Sequence, residues 1–252
     1  MANWSDPRTG TAPLAGAQAD IRDAGLRSYM LSVYNYMMSG VLLTGIVAVA
    51  VSQTSLIQYL FQVQQTDRGL SIGPSLLGWV VMLAPLGIVL TMSFAVNRLS
   101  APALQALFWV YAALMGASLS TIFLTYSGTS IAQVFFATAA GFAGLSLWGY
   151  TTKKDLSGFG TFLIMGVVGL LVAMVLNLFL RSDGLSFVIS AAGVLIFAGL
   201  TAYDTQKIKN AYDYVAGSDL IGKAAIMGAL TLYLDFINMF LFLLRLFGSS
   251  RN

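Results

Sequence analysis

The sequence contains no histidine and no cysteine, and reading it through shows no glutamate, so all ten acidic residues are aspartates. Without histidine and cysteine, the common zinc sites, thiolate chemistry, disulfides and histidine-based triads are excluded. The chain also lacks a phosphate-binding loop, a nucleotide-binding fingerprint and a nucleophile motif. We therefore expect a protein that is not an enzyme and has no resident cofactor.

Charge is scarce as well. Only 9% of the 252 residues are charged and 58% are hydrophobic, whereas about a quarter of the residues in a typical soluble domain are charged. That composition leaves too little polar surface for a water-soluble globule and indicates a protein of the lipid bilayer. The basic residues are dispersed between apolar runs, which favours a role in membrane orientation over nucleic-acid binding.

Seven apolar runs are each long enough to cross a hydrocarbon core of ~30 Å. They cover residues 28–52, 77–97, 101–126, 130–150, 158–180, 185–206 and 221–247. The sequence thus predicts an all-α integral membrane protein, a bundle of seven transmembrane helices over residues 28–248. Residues 1–27 are expected to form a flexible polar tail, with a helix from Ala17 onward as an option, and residues 249–252 a short C-terminal tail. The long connection 53–76 contains an apolar stretch, 56–61, suited to the bilayer surface.

The basic residues predict the orientation of these spans. Nine of the thirteen lie in the tail or in the loops on its side, and four lie on the opposite side. Because cytoplasmic loops carry the excess of lysine and arginine, the N-terminus is expected in the cytoplasm and the C-terminus outside.

Two aspartates lie within apolar runs rather than in loops. An aspartate at the bilayer centre costs about 2.5 to 3.5 kcal/mol on insertion scales, so it persists where it faces protein or water and usually marks a function. Asp235 is expected near the midplane of the last span, with no basic residue close to it. Either it takes part in a site, or it is a protonated side chain that donates to a backbone carbonyl.

Asp204 lies near the predicted end of the sixth span. Counted from Leu185 it falls at the cytoplasmic boundary, about ten ångströms from the level of Asp235, where it would pair with Lys207 or Lys209. If the helix continues through Tyr212, Asp204 lies deeper and can approach Asp235. Two nearby carboxylates in a low-dielectric interior resist double ionisation and can share one proton, which would provide a pH sensor without histidine.

Arg98 is a third candidate. The second and sixth spans run in the same direction, so Arg98 and Asp204 are expected at the same cytoplasmic level. Either the two form an ion pair that ties distant helices together, or Arg98 only sets the topology.

The C-terminal third resembles the Bax inhibitor family, the transmembrane Bax inhibitor motif proteins, with their bacterial YccA-like and YetJ-like members. The resemblance is carried by residues 197–209 (FAGLTAYDTQKIK), 228–240 (GALTLYLDFINMF) and 243–248 (LLRLFG), with support from 152–157 (TKKDLS). It extends over about residues 28 to 248. These paired motifs imply a seven-helix fold and a place in a bacterial inner membrane.

The resemblance also implies a function. A bacterial member of the family is described as a pH-sensitive calcium leak in which two aspartates on the sixth and seventh helices form a dyad. An arginine at the end of its second helix latches onto one of them. The aspartates correspond to Asp204 and Asp235, and the latch corresponds to Arg98, the single basic residue where that relative has several. Carboxylate oxygens suit calcium, and two of them make a weak, partly hydrated site.

The expected function is therefore a pH-regulated calcium or cation leak whose partners are the lipid bilayer and calcium ions. The alternative is a modulator or substrate of a membrane-embedded protease, in membrane quality control, with the N-terminal tail as its handle. Nucleic acid is not an expected partner.

Overall fold

The computed structural model describes residues 12–66 and 69–250, with side chains over 20–62 and 73–250. The elements in chain order are α1 Ala12–Ser52, α2 Leu56–Leu60, β1 Phe61–Thr66, β2 Gly69–Pro74, α3 Leu76–Ala95, α4 Ala101–Leu119, α5 Ile122–Thr125, α6 Gly128–Thr151, α7 Ser157–Leu180, α8 Asp183–Val215 and α9 Ile221–Phe247.

Seven helices in the described part of the chain are long and apolar enough to cross a membrane. They are α1, α3, α4 together with α5, α6, α7, α8 and α9, and they correspond one to one with the seven predicted spans. The prediction of a seven-helix membrane bundle is confirmed. At its C-terminal end α8 differs from the prediction, since it continues to Val215 rather than ending near residue 206.

Serine residues begin four of these helices. The side chains of Ser75, Ser100, Ser127 and Ser182 each accept a hydrogen bond from a backbone amide in the first turn of α3, α4, α6 and α8. Such caps satisfy an amide that has no partner within the helix. The short polar connections of the sequence therefore act as helix starts.

The last helix, α9, lies at the centre of the bundle. It packs against α8, α1, α6 and α4, whereas α7 packs on α8 at the periphery. In its most apolar window 67% of α9 is buried, against 11% for α7. Tyr233 on α9 is fully buried and meets Tyr111 and Phe108 of α4 edge to face, with ring centroids 5.3 and 6.1 Å apart. A central helix must contact protein on nearly every side, so a polar residue on it faces the bundle interior.

Glycine allows α6 and α7 each to approach α8 closely. A Cβ on Gly149 of α6 would collide with the backbone of Ala202 on α8, and one on Gly166 of α7 would press on Ile196 of α8. Gly141, Gly144 and Gly169 also lie on these helices, but nothing lies within 4 Å of a Cβ built there. Their spacing indicates small residues on a helix and does not say which face is packed.

The N-terminal helix begins well before the apolar run. α1 includes residues 12–27, most of the segment expected to be a flexible tail, whereas residues 1–11 lie outside the described part. Its extension is held by Arg22, whose guanidinium donates to both carboxylate oxygens of Asp213 on α8, at 2.9 and 2.7 Å. Tyr29 also packs on Tyr212, with ring centroids 5.6 Å apart. Tertiary contacts to the end of α8 thus extend the helix beyond the span.

The connection between α1 and α3 forms a short helix and a hairpin. α2 is the expected apolar turn at the surface, with Leu56 and Tyr59 exposed and Leu60 buried. The antiparallel hairpin of β1 and β2, in which Phe61 pairs with Pro74 and Thr66 with Gly69, was not predicted.

The described part of the C-terminal tail is bound to the bundle. The amide of Ser127 donates to the carbonyl of Ser249 at 3.0 Å, and the amide of Ser249 donates to Oγ of Ser130 at 2.9 Å. These contacts attach the chain after α9 to the start of α6.

Candidate functional site: a buried carboxyl pair

Asp204 of α8 and Asp235 of α9 meet inside the bundle. Both are buried, with 8% and 4% of their surface exposed, and their carboxyl groups are close enough to interact with each other. A hydrogen bond between two carboxyl groups requires a proton on one of them. The buried Oδ2 atom of Asp235 has no hydrogen-bond partner among the described residues. The arrangement is a buried pair of carboxyl groups between α8 and α9.

The helical hairpin of α8 and α9 explains why the two aspartates are level. Asp204 lies about 16 Å from Val215, the last residue of α8, and Asp235 lies about 21 Å from Ile221, the first residue of α9, at about 1.5 Å per residue. The short turn at residues 216–220 joins those ends. The ten-ångström mismatch expected from counting inward from Leu185 falls to about 5 Å when both aspartates are counted from the turn, because α8 extends past residue 206.

The lysines beside Asp204 do not form ion pairs with it. Lys207 is exposed and acts on Asp204 only electrostatically, and no ion pair to Asp204 occurs among the described residues. Lys209 instead donates to the carbonyl of Tyr150 at 2.8 Å, with its ammonium 5.0 Å from the centre of that ring. The arrangement in which Asp204 is an interfacial residue paired with lysine is not the one found here.

Arg98 lies in the turn between α3 and α4 and is exposed. Within the described residues it forms no ion pair with Asp204 or with any other acidic side chain. The cation that does contact the end of α3 is Lys223 of α9, which donates to the carbonyl of Val96 at 3.3 Å. The latch role of Arg98 stays a prediction, and Lys223 is a contact that the sequence did not reveal.

A chain of hydroxyl groups connects α8 to α6 and α1. Thr205 donates to the carbonyl of Thr201 at 2.7 Å, Oγ of Ser146 lies 2.9 Å from Oγ1 of Thr205, and the hydroxyl of Tyr34 lies 2.6 Å from Ser146. Since Thr205 uses its proton on Thr201, Ser146 donates to Thr205 and Tyr34 donates to Ser146. This chain joins α1, α6 and α8 at the residue next to Asp204, so it fixes the rotation of α8.

Gln206 fixes the neighbouring loop. Its amide nitrogen donates to the carbonyl of Lys154 at 2.8 Å, and its Oε1 accepts from the amide of Leu156 at 2.9 Å. In the same loop, hydrogen bonds from the side chain and amide of Ser157 hold the pKa of Asp155 below its ordinary value. The loop between α6 and α7 is thereby tied to the helix that carries Asp204.

Neither Gln206 nor the hydroxyl chain was predicted as part of the site. The available signal was positional, because Thr205 and Gln206 directly follow Asp204. Ser146 is likewise a polar residue within an apolar run. Polar side chains inside a span usually bond to a neighbouring helix, but sequence alone does not identify the partner.

A cation at the carboxyl pair would find two carboxyl groups. The described residues contain no group of three or more histidine, cysteine, aspartate or glutamate side chains that could hold a metal ion. Calcium takes six to eight oxygen ligands, so a calcium ion at this pair would keep most of its water. The geometry of the carboxyl pair would therefore suit weak and transient binding of a cation.

These features define a polytopic membrane protein whose seven helices surround a buried carboxyl pair. A family model described as "Inhibitor of apoptosis-promoting Bax1" matches residues 26–252. The chain belongs to this family, the Bax inhibitor family, as its motifs had suggested. The family is one of membrane proteins and is not known as an enzyme family.

Curated relatives match almost end to end. An uncharacterised protein of Rickettsia prowazekii is 48% identical over 231 residues, 91% of this chain and 93% of the relative. One from Caulobacter vibrioides is 48% identical over 231 residues, 91% of each chain. The inner membrane protein YbhL of Escherichia coli K12 is 45% identical over 231 residues, 90% of this chain and 94% of the relative. With its seven apolar helices, the chain is an integral protein of the inner membrane.

Proposed function

We propose that the chain is a pH-regulated leak for calcium, and for similar cations, in which the Asp204–Asp235 pair is the proton-sensitive element. The observation that supports this function is the buried pair of interacting carboxyl groups between the central helix α9 and its neighbour α8. The proton shared by the pair joins the two helices. Losing it would leave two negative charges facing each other in a region of low dielectric.

The sign of the pH effect follows from that geometry. Two like charges about 4 Å apart repel by about 4 kcal/mol at an effective dielectric constant of about 20, which is enough to shift a two-state equilibrium. Rising pH removes the shared proton, so the repulsion favours separation of α8 from α9 and the entry of a cation between the carboxylates. We therefore expect the leak to rise with pH.

The test is calcium flux into proteoliposomes that contain a calcium-sensitive dye, measured from about pH 5 to pH 8 for the wild type and Asp235→Asn. We expect a pH-dependent flux in the wild type that the variant loses. Asp219→Asn is the matched control, because Asp219 is an exposed aspartate in the turn between α8 and α9. A wild type without flux at any pH would overturn the proposal, and so would an Asp235→Asn variant with the wild-type profile.

A second proposal is that the chain modulates, or is a substrate of, a membrane-embedded protease. It is supported by the continuation of α1 beyond the apolar span, back to Ala12, which provides an N-terminal handle. Deleting residues 2–19 tests it, because this removes the start of that extension and keeps Arg22 and its contact with Asp213. If the N-terminal segment is the handle, the shortened protein co-reconstituted with the protease should no longer be degraded or should no longer inhibit the protease. The calcium leak should survive the deletion.

A further inference from the structure

A crevice opens between α1 and α6, with α9 as its floor. Its cavity volume is about 690 Å³, and it is lined by Met30 and Met37 of α1, by Phe142 of α6 and by Phe236 of α9. Residues at its rim are exposed, among them Leu147 with 63% of its surface. Because α1 and α6 both cross the membrane, this opening faces the lipid and not water.

Two polar side chains in the crevice walls, Tyr34 and Ser146, already have partners. The hydroxyl of Tyr34 lies 2.6 Å from Oγ of Ser146, and Ser146 in turn lies 2.9 Å from Thr205. The hydroxyls of Tyr34 and Ser146 are therefore satisfied within the protein. The remaining lining is largely aliphatic, aromatic and methionine side chains, which adapt their shape to flexible hydrocarbon.

One end of the crevice carries charge. Arg27 is the charged residue in its lining, is exposed, and forms no ion pair with an acidic side chain in the described part of the chain. Lys209 lies close by, over the ring of Tyr150, which also lines this end. From Arg27 to Met38 the helix is about 16 Å long, close to half of a ~30 Å hydrocarbon core. The crevice is therefore one leaflet deep, with a cation at headgroup level.

We propose that this crevice binds one anionic phospholipid of the leaflet on the side of the N-terminus. An acyl chain lies between α1 and α6, and the phosphate contacts Arg27. Beyond Phe236 a second cavity of about 750 Å³, lined mostly by apolar side chains of α1, α6 and α9, gives the end of the chain room to continue. The lipid supplies the anion that Arg27 lacks and fills an apolar space that protein leaves open.

The site has a consequence for the central helix. Phe236, which forms the floor of the crevice, directly follows Asp235 of the carboxyl pair. A lipid seated against Phe236 therefore touches the helix that carries the pair. The lipid-site proposal is argued from the crevice and from Arg27, and it does not depend on the leak proposal.

The experiment is native mass spectrometry of the purified full-length protein with phosphatidylglycerol or phosphatidylcholine of identical acyl chains. We expect one phosphatidylglycerol bound more tightly than phosphatidylcholine by about fivefold, the factor expected for one basic residue at a membrane surface. Arg27→Gln should remove that preference and keep the acyl-chain contribution. Lys153→Gln, at an exposed cation outside the crevice, should bind like the wild type.

A second pair of variants tests the acyl-chain position. Ala143→Trp fills the crevice from α6 and should abolish tight binding of both lipids, whereas Ala140→Trp, at an exposed position on α6 outside the crevice lining, should not. Thermal melts and size-exclusion profiles establish that both variants fold. Equal lipid binding by Ala143→Trp and the wild type would overturn the proposal, because the bound lipid would then be annular lipid only. If the wild type is a dimer and Ala143→Trp is a monomer, the proposal would also be overturned, because a second copy of the chain would then occupy the crevice.

Discussion

Asp204 and Asp235 are each the other's neighbouring acidic group inside the bundle. Asp235 has 4% of its surface exposed, and its Oδ2 atom has no hydrogen-bond partner among the described residues. Asp204 in turn receives only a distant electrostatic contribution from Lys207. Removing either carboxyl group therefore changes the protonation of the other, because a like charge close by disfavours ionisation.

Asp204→Asn and Asp235→Asn are each expected to abolish the pH dependence of the leak. Either change replaces one carboxyl group of the pair with an amide, which does not titrate, and so removes the like charge beside the other carboxyl group. The double variant should resemble a single one, because coupled groups act as a unit. Proteoliposome flux across pH measures all four proteins, and the idea would be falsified by an Asp204→Asn variant that keeps the full pH response.

At the scale of helices, α8 is held along its C-terminal half by side chains from three directions. The hydroxyl chain through Ser146 joins it to α1 and α6, Gln206 binds the loop before α7, and Asp213 binds Arg22 of α1. The helix that carries Asp204 thus cannot shift without disturbing the loop at residues 152–156. Motion of α8 during gating would be transmitted to that loop.

Gln206→Met is expected to destabilise the protein by about 1–3 kcal/mol, since it leaves the buried amide of Leu156 without a partner at similar side-chain volume. Thermal unfolding in detergent measures the loss. Gln133→Met, at an exposed glutamine on α6, is the matched control and should leave the melting temperature nearly unchanged. Equal melting temperatures for the two variants would mean that the loop contact contributes little.

Arg98→Ala tests the latch between α3 and α8. If Arg98 engages Asp204 in the closed state, the variant should raise the resting leak, because a cation that holds the two helices together is lost. Lys153→Ala is the control, an exposed cation in a loop predicted on the same side. Flux at resting pH decides the question, and equal flux in both variants would leave Arg98 as a topology residue.

At the scale of the whole molecule, hydropathy alone predicted the seven spans because each is an uninterrupted apolar run. It could not place the end of α8. Residues 207–215 are polar and look like a loop, yet Lys209 and Asp213 bind Tyr150 and Arg22 and keep them helical. The same limitation applies to the hairpin at residues 61–74, whose strands depend on pairing with each other. Long-range contacts that a hydrophobicity profile does not contain determine these features.

The orientation of the bundle is the remaining whole-molecule prediction, and it follows from the distribution of charge. Nine basic residues on the N-terminal side against four on the other predict the N-terminus in the cytoplasm, and seven spans then place the C-terminus outside. A fluorescent reporter that matures only in the cytoplasm should be dark when fused after Asn252 and bright when inserted in the loop at residues 153–155. The tail after α9 is bound to Ser127 and Ser130, so the fusion needs a flexible linker. Bright C-terminal fusions together with a dark loop insertion would invert the topology and put Arg98, Lys209 and the end of α8 outside the cytoplasm.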